Sequence, residues 1–228
     1  MTAPPQARRV RSYVRREGRL TPAQARALET LAEGYRLPEV PEALSAEALF
    51  GAPRPLLLEI GFGNGETLAR MALEAPETGF IGAEVHRPGI GHLYRLLDRE
   101  GIANVRVYEG DAVDLLQHRI APGTLAGVRI YFPDPWPKKR HHKRRLVQPA
   151  FAALVADRLQ PGGLLHFATD CEDYAQSAEA AVAAVPHLQP AAGDTPHVRR
   201  PTWRPTSRFE RRGRDLGHPV FDLIWRRV

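Results

Sequence analysis

The sequence predicts an α/β fold in which a mainly parallel sheet is covered by helices on both faces. Three observations carry this. Short apolar runs of strand length alternate with stretches of helical periodicity between residues 55 and 185. The runs are nearly continuous rather than alternating, as in strands buried on both sides. The turns that follow them carry Gly, Asp and Pro at the strand ends where ligands of such sheets bind.

The 228 residues, 43% of them hydrophobic, suffice for one full domain with short additions. Residues 1–53 read as a basic arm, a helix and a linker, and residues 54–228 as the domain. The arm runs to about residue 20, is rich in Arg and lacks the apolar core of a secretory signal. Thr21 followed by Pro22 is an N-cap with proline at the first helical position, opening a helix to about residue 32. Residues 33–53, rich in Pro, Gly and Glu, suggest a linker or short helices. Strands are expected at 55–60, 80–85, 105–108, 128–132 and 163–168, with a last one between 220 and 225. Helices are expected at 66–74, 89–100, 146–159 and 172–185, and residues 186–205 read as a loop.

No run of eighteen apolar residues exists, so no membrane span is expected. The single cysteine, Cys171, excludes an intramolecular disulfide and a Cys-based metal cluster, and suits a reducing cytoplasm. The formal charge of +6 matters less than its distribution, which concentrates at residues 8–19, 138–145 and 199–214. Such clusters suit a polyphosphate partner. The only lysines are Lys138, Lys139 and Lys143, in a chain that otherwise uses Arg for its cations. Lysine is a compact point charge and arginine a planar fork, so at least one of the three reads as required to be lysine.

The first strand ends in Glu59-Ile60-Gly61-Phe62-Gly63-Asn64-Gly65, and a helix follows. Gly61, Gly63 and Gly65 allow a sharp turn and let a ligand approach the main chain. A dinucleotide loop would want Gly-x-Gly-x-x-Gly, with pyrophosphate on the helix N-terminus. Here Glu66 stands at the last glycine position, and Glu59 and Glu66 bracket the loop with negative charge. That charge repels a pyrophosphate and favours a cation, as in S-adenosylmethionine with its ammonium and sulfonium. Glu84, at the end of the second strand, is placed to accept ribose hydroxyls of either cofactor. Asp111 follows the third strand and completes three acids at three successive strand ends.

The fourth strand runs into Tyr131-Phe132-Pro133-Asp134-Pro135-Trp136-Pro137 and then into six cations and two histidines at residues 138–145. The two prolines fix the backbone around Asp134 and forbid helix there. A rigid acid, an aromatic plane and a phosphate-binding run are what an RNA base-modifying enzyme needs side by side. His141 and His142 are adjacent and point apart on any regular element, so no metal is assigned.

These residues are similar to the bacterial tRNA (guanine-N7)-methyltransferases, whose hallmark the Pro-Asp-Pro-Trp-x-Lys-x-Arg-His-x-Lys-Arg-Arg run resembles. The resemblance extends to Arg11-Ser-Tyr-Val-Arg-Arg-Glu-Gly-Arg-Leu-Thr21, to Ala168-Thr169-Asp170, and to Arg204-Pro-Thr-Ser-Arg-Phe-Glu-Arg-Arg-Gly213. It is weakest at residues 33–53 and 186–200. It implies a class I methyltransferase fold with a seven-stranded sheet, and methyl transfer to N7 of a guanosine at variable-loop position 46. It further implies that Glu59, Glu84, Asp111 and Asp134 contact the methyl donor, that adenine's exocyclic amine meets Asp111, and that Asp134 stands at the catalytic centre. Lys138, Asp170 and Ser207, Arg208, Phe209 and Glu210 would contact the tRNA or its guanosine. Arg140, Lys143, Arg144 and Arg145 would lie on the RNA backbone. The family has Thr where this chain has Ser207, a change that keeps the hydroxyl.

The partner expected is tRNA, with no membrane and no obligate protein partner, the chain acting as a monomer or a homodimer. Other readings stay open on the residues alone. A Rossmann-class oxidoreductase is opposed by Glu59 and Glu66, and a non-catalytic RNA-binding protein by the intact loop and its acids. A methyltransferase for another RNA or a protein is opposed by the Pro-Asp-Pro-Trp run and the C-terminal motif.

Overall fold

Five parallel strands and three antiparallel additions build the sheet. The computed structural model describes residues 12–13, 18–39, 43–207, 210–211 and 217–228. The parallel strands are β1 (Leu56–Ile60), β2 (Gly79–Glu84), β3 (Val105–Glu109), β4 (Leu125–Tyr131) and β5 (Leu159–Thr169). Three more, β6 (Leu188–Pro190), β7 (His197–Val198) and β8 (Phe221–Arg227), follow in the chain. The order is β3-β2-β1-β4-β5-β8-β6, seven strands on one path, with β7 joined to β8 as an eighth. β8 runs antiparallel to β5, and β6 and β7 run antiparallel to β8. The fold class read from the sequence holds, down to the helix α4 (Glu66–Glu74).

Two apolar cores sandwich the sheet, as the continuous strand patterns require. One joins Leu58, Ile81 and Val128 to α6 (Ala112–His118), α7 (Pro149–Arg158) and α8 (Glu172–Ala183). The other joins Phe80, Val105 and Val107 to α1 (Pro22–Thr30), α4 and α5 (Arg87–Glu100). Leu58, Leu68, Leu93 and Leu116 have no exposed surface. Truncating any of them to alanine should cost about 2–5 kcal/mol.

Thr21 caps α1 as expected. Its Oγ1 accepts from the Gln24 N–H at 3.3 Å, while Gln24 Oε1 accepts from the Thr21 N–H at 2.9 Å. Residues 33–53 hold α2 (Ala32–Tyr35) in part and α3 (Ala46–Phe50). Between them Leu37 N–H donates to Val107 O at 2.8 Å, which draws this stretch onto β3.

Several elements differ from the sequence expectation. Residues 186–205, expected as a loop, hold β6 and β7, which β8 draws into the sheet by backbone pairing that no local pattern signals. α7 starts at Pro149 and not at residue 146, because Gln148 is extended and Pro149 takes the first helical position. α6 was not expected at all, although Asp111 caps it from Oδ1 with the Val113 N–H at 3.0 Å. No helix among the described residues is long and apolar enough to cross a membrane.

Candidate active site

In the order β3-β2-β1-β4-β5 the connections reverse direction between β1 and β4, and the crevice outside the carboxyl ends of those strands is where such sheets bind ligands. A cavity of about 300 Å³ lies there, lined by residues of the β1, β2 and β3 ends and by Phe132, Pro133 and Asp134 after β4. Ser12 and Tyr13 of the N-terminal arm also line it.

Ile60 and Gly61, where the glycine loop begins, line the cavity as well. Gly61 and Gly63 take left-handed φ of 72° and 60°, and a Cβ built on either would meet nothing within 4 Å. The loop therefore needs glycine for its backbone, and it leaves room for a ligand against the main chain. It is braced from α5, where His92 Nδ1 contacts Asn64 O at 2.8 Å. A Cβ at Gly89 would fall 2.0 Å from Gly63 O, so the helix can approach the loop only without a side chain there.

Glu84 accepts the Gly63 N–H on Oε2 at 2.8 Å, and the Val85 and His86 N–H groups on Oε1 at 2.7 and 3.0 Å. The carboxylate thus ties the glycine loop to the end of β2 and lines the cavity. Oε1 already accepts two bonds, and Oε2 keeps one further acceptor direction, which suits a ligand hydroxyl. Asp111 lines the cavity too while its Oδ1 caps α6.

Glu59 lies behind this lining with 3% of its surface exposed, and its Oε2 is buried with no hydrogen-bond partner among the described residues. Burial pushes its carboxyl up to about 7, with Arg129 opposing and the Glu84 charge adding. A buried carboxyl oxygen without a hydrogen-bond partner, one residue before the cavity-lining Ile60, fits a ligand that brings a cationic N–H donor. Together the open glycines, the free acceptor direction on Glu84 Oε2 and the unpartnered Glu59 Oε2 fit the polar groups of S-adenosylmethionine.

The Pro-Asp-Pro-Trp segment is bent at both ends. Phe132 and Trp136 have φ of 50° and 47°, a conformation that costs a non-glycine residue about 1–2 kcal/mol. Strain of this kind persists only where surrounding contacts hold it. Phe132 N–H donates to Ala168 O at 2.8 Å, and Asp134 stands exposed at the cavity between the bends. Trp136, expected as a stacking plane, has Arg144 over its ring at 5.0 Å and His141 edge-on at 5.9 Å. Its Nε1–H donates to Ser12 O at 3.2 Å and so holds the arm at the cavity.

The basic run forms a 3-10 helix, Lys139–Arg144. Lys138, Arg140 and Lys143 are exposed and Arg144 is half-exposed. Arg145 departs from expectation. It is 2% exposed, and its guanidinium is spent on Pro135 O, Ser177 Oγ and the Asp173 carboxylate and carbonyl. A guanidinium enclosed in that way is not presented to an RNA backbone.

Asp170, half-buried, follows β5 beside the Asp134 segment. Ser207 Oγ accepts the Glu210 N–H at 3.0 Å, and Glu210 is 4% exposed, bonded to Arg204. Arg208 and Phe209 lie outside the described residues, as does most of the 8–19 cluster. Sequence reasoning missed a buried polar network formed by Tyr131, His166, Asp222 and Arg204. Asp222 accepts from His166 Nε2 at 2.8 Å, which leaves Nδ1 to accept the Tyr131 hydroxyl at 3.0 Å. Burial holds the His166 imidazole below its usual range despite Asp222, so the ring is neutral near pH 7. The one signal in the sequence was a histidine between Leu165 and Phe167 in a buried strand. No group of three or more His, Cys, Asp or Glu residues among those described is placed to hold a metal ion.

A doubly wound sheet with an acid-flanked glycine loop at its switch point, and acids closing the next two strands, defines a class I methyltransferase. The solved structures bear on the fold. A 16S rRNA (adenine(1408)-N(1))-methyltransferase from Catenulisporales acidiphilia aligns over 86% of this chain and 95% of its own, with TM-score 0.54 and 18% identity. An antibiotic-related methyltransferase aligns over 81% and 95%, with TM-score 0.53 and 16% identity. A family described as "Putative methyltransferase" matches residues 53–223. The tRNA (guanine-N(7)-)-methyltransferase of Methylococcus capsulatus is 52% identical over 96% of this chain and 95% of its own. That of Alcanivorax borkumensis is 50% identical over 96% and 91%. The chain belongs to the tRNA (guanine-N(7)-)-methyltransferase family.

Proposed function

We propose that this protein transfers a methyl group from S-adenosylmethionine to N7 of the guanosine at variable-loop position 46 of tRNA. The observation that carries the reading is that Asp134 lines the same cavity as Gly61, Glu84 and Asp111. S-adenosylmethionine supplies a sulfonium methyl that the in-plane lone pair of guanine N7 can take up without first losing a proton. A strong general base is therefore unnecessary, and alignment of the two reactants is the chain's main task.

Glu59 offers its unpaired oxygen to the donor's ammonium, Glu84 accepts a ribose hydroxyl on Oε2, and Asp111 accepts the adenine amine. Asp134, held between two strained residues, accepts N–H groups of the guanine and faces the positive charge that develops on the purine. Asp170 and the segment from Ser207 to Glu210 read the N1–H and N2 amine, which adenine lacks in that pattern. Lys138, Arg140, Lys143 and Arg144 bind phosphates. A cytoplasmic setting suits the single cysteine, with the protein acting as a monomer or homodimer.

The reading is tested by methyl transfer from tritiated S-adenosylmethionine to unmodified tRNA transcripts. Label in a transcript with guanosine at position 46 and none where adenosine replaces it supports the assignment. Equal label in both moves the target elsewhere.

A further inference from the structure

We propose that Arg204 is a positioning residue for guanine recognition, holding the Glu210 carboxylate beside the end of the strand that leads to Asp134. This rests on the reading that the 207–210 segment contacts the guanosine.

The guanidinium is 1% exposed and forks in two directions. Nε and Nη2 donate to Asp222 at 2.7 and 2.9 Å, while Nη1 and Nη2 donate to Glu210 at 2.6 and 3.1 Å. Its carbon lies 5.8 Å from the Tyr131 ring and 5.7 Å from the Phe132 ring. Phe132 begins the strained segment that carries Asp134 and lines the cavity. Through Asp222 and His166 the same cluster reaches the Tyr131 hydroxyl. One cation thus joins β8, β5, the end of β4 and the C-terminal segment.

A buried cluster of this kind adds little net stability, because the desolvation of its charges offsets their attraction. Its physical value lies in geometry. Two bonds from one planar group fix both the position and the rotation of the Glu210 carboxylate. Unlike the guanidinium of Arg145, whose three nitrogens are all engaged, each Glu210 oxygen carries one bond from Arg204 and keeps one acceptor direction. Guanine would meet it at the 4% of the residue that stays exposed. Lysine at this position would keep the charge but, as a single point donor, could not fork to two carboxylates.

The test uses the full chain and tRNA transcripts with guanosine or inosine at position 46, inosine lacking only the N2 amine. Steady-state kcat and KM are measured for both, together with donor-free equilibrium binding of each transcript and melting temperatures. Loss of a bond to a charged acceptor predicts a wild-type preference for guanosine of about tenfold or more in kcat/KM. Arg204→Lys is expected to fold and to bring that preference to within about twofold, and Glu210→Gln to do the same. A wild-type preference retained by Arg204→Lys overturns the proposal, and shows that the cluster serves the fold alone. A preference retained by Glu210→Gln overturns the underlying reading of the 207–210 segment, and the proposal with it. If Arg204→Lys does not fold, Asp222→Asn, which breaks the other arm of the fork, is judged by the same two outcomes.

Discussion

The guanidinium of Arg145 donates from Nε to the carbonyl oxygen of Pro135 at 3.0 Å, one residue beyond Asp134. Its Nη1 reaches Ser177 Oγ at 2.9 Å, and it lies over the Tyr174 ring at 4.9 Å, so the Asp134 segment is fastened to α8. Arg145→Ala should cost about 2–3 kcal/mol through the lost bonds and packing. In a chain of this size that lowers the melting temperature by roughly 4–10 °C. Turnover should fall with it. A variant that melts like the parent and only binds tRNA more weakly would return Arg145 to the RNA surface.

Arg144 gives the contrasting case. It is half-exposed and its guanidinium lies over the Trp136 ring at 5.0 Å. Arg144→Ala should leave melting within about 2 °C. It should weaken tRNA binding for all transcripts alike and reduce the slope of log affinity against log salt by about one. Filter binding at several salt concentrations measures this.

Glu59 sets a pH dependence whose sign is fixed by its environment. Burial raises its carboxyl from 4.5 to about 7, so the folded protein without ligand binds more protons than the unfolded chain between those values. Its contribution to stability is full below about pH 4.5 and is lost as pH rises through 7. Glu59→Gln removes the charge and should melt higher than the parent at pH 8, by at most about 3 kcal/mol in stability. The gap should close towards pH 4.5, and donor binding should weaken in the same variant. A gap that does not change with pH would contradict the assignment.

Asp111 has two jobs that substitutions can separate. Asparagine still caps a helix, whereas alanine loses the cap at about 1 kcal/mol. Asp111→Asn should therefore melt like the parent yet bind S-adenosylmethionine more weakly, and Asp111→Ala should lose on both counts. Equilibrium dialysis with melting curves distinguishes the two.

Much of this was legible in the sequence because it is local. The apolar runs gave the strands, the Glu-x-Gly-x-Gly-x-Gly spacing gave the loop, and the two prolines gave the rigidity around Asp134. What was not legible depends on contacts distant in the chain. Arg145 turns inward because Asp173 and Ser177 await it on α8, which nothing in a run of cations reveals. Arg204 reads as one more surface charge until β8 brings Asp222 beneath it. Helix α6 is obscured by the double character of Asp111: an acid at a strand end suits a ligand, and the same Asp before Val113, Leu115 and Leu116 is also a helix start.

Asp134 carries the sharpest prediction on catalysis. Its side chain is exposed at the cavity and contributes no burial, so Asp134→Ala should fold normally. Turnover should fall at least about a hundredfold, while tRNA affinity, supplied by the cations, stays near the parent value. Equal loss of both would remove Asp134 from the catalytic centre.

The most direct measurement replaces the guanosine at position 46 with 7-deazaguanosine, which keeps the Watson–Crick edge and lacks only the N7 lone pair. With tritiated S-adenosylmethionine, label in the guanosine transcript and none in the 7-deaza transcript is the predicted result. Equal label in both would mean that the accepting atom is not N7 of that base.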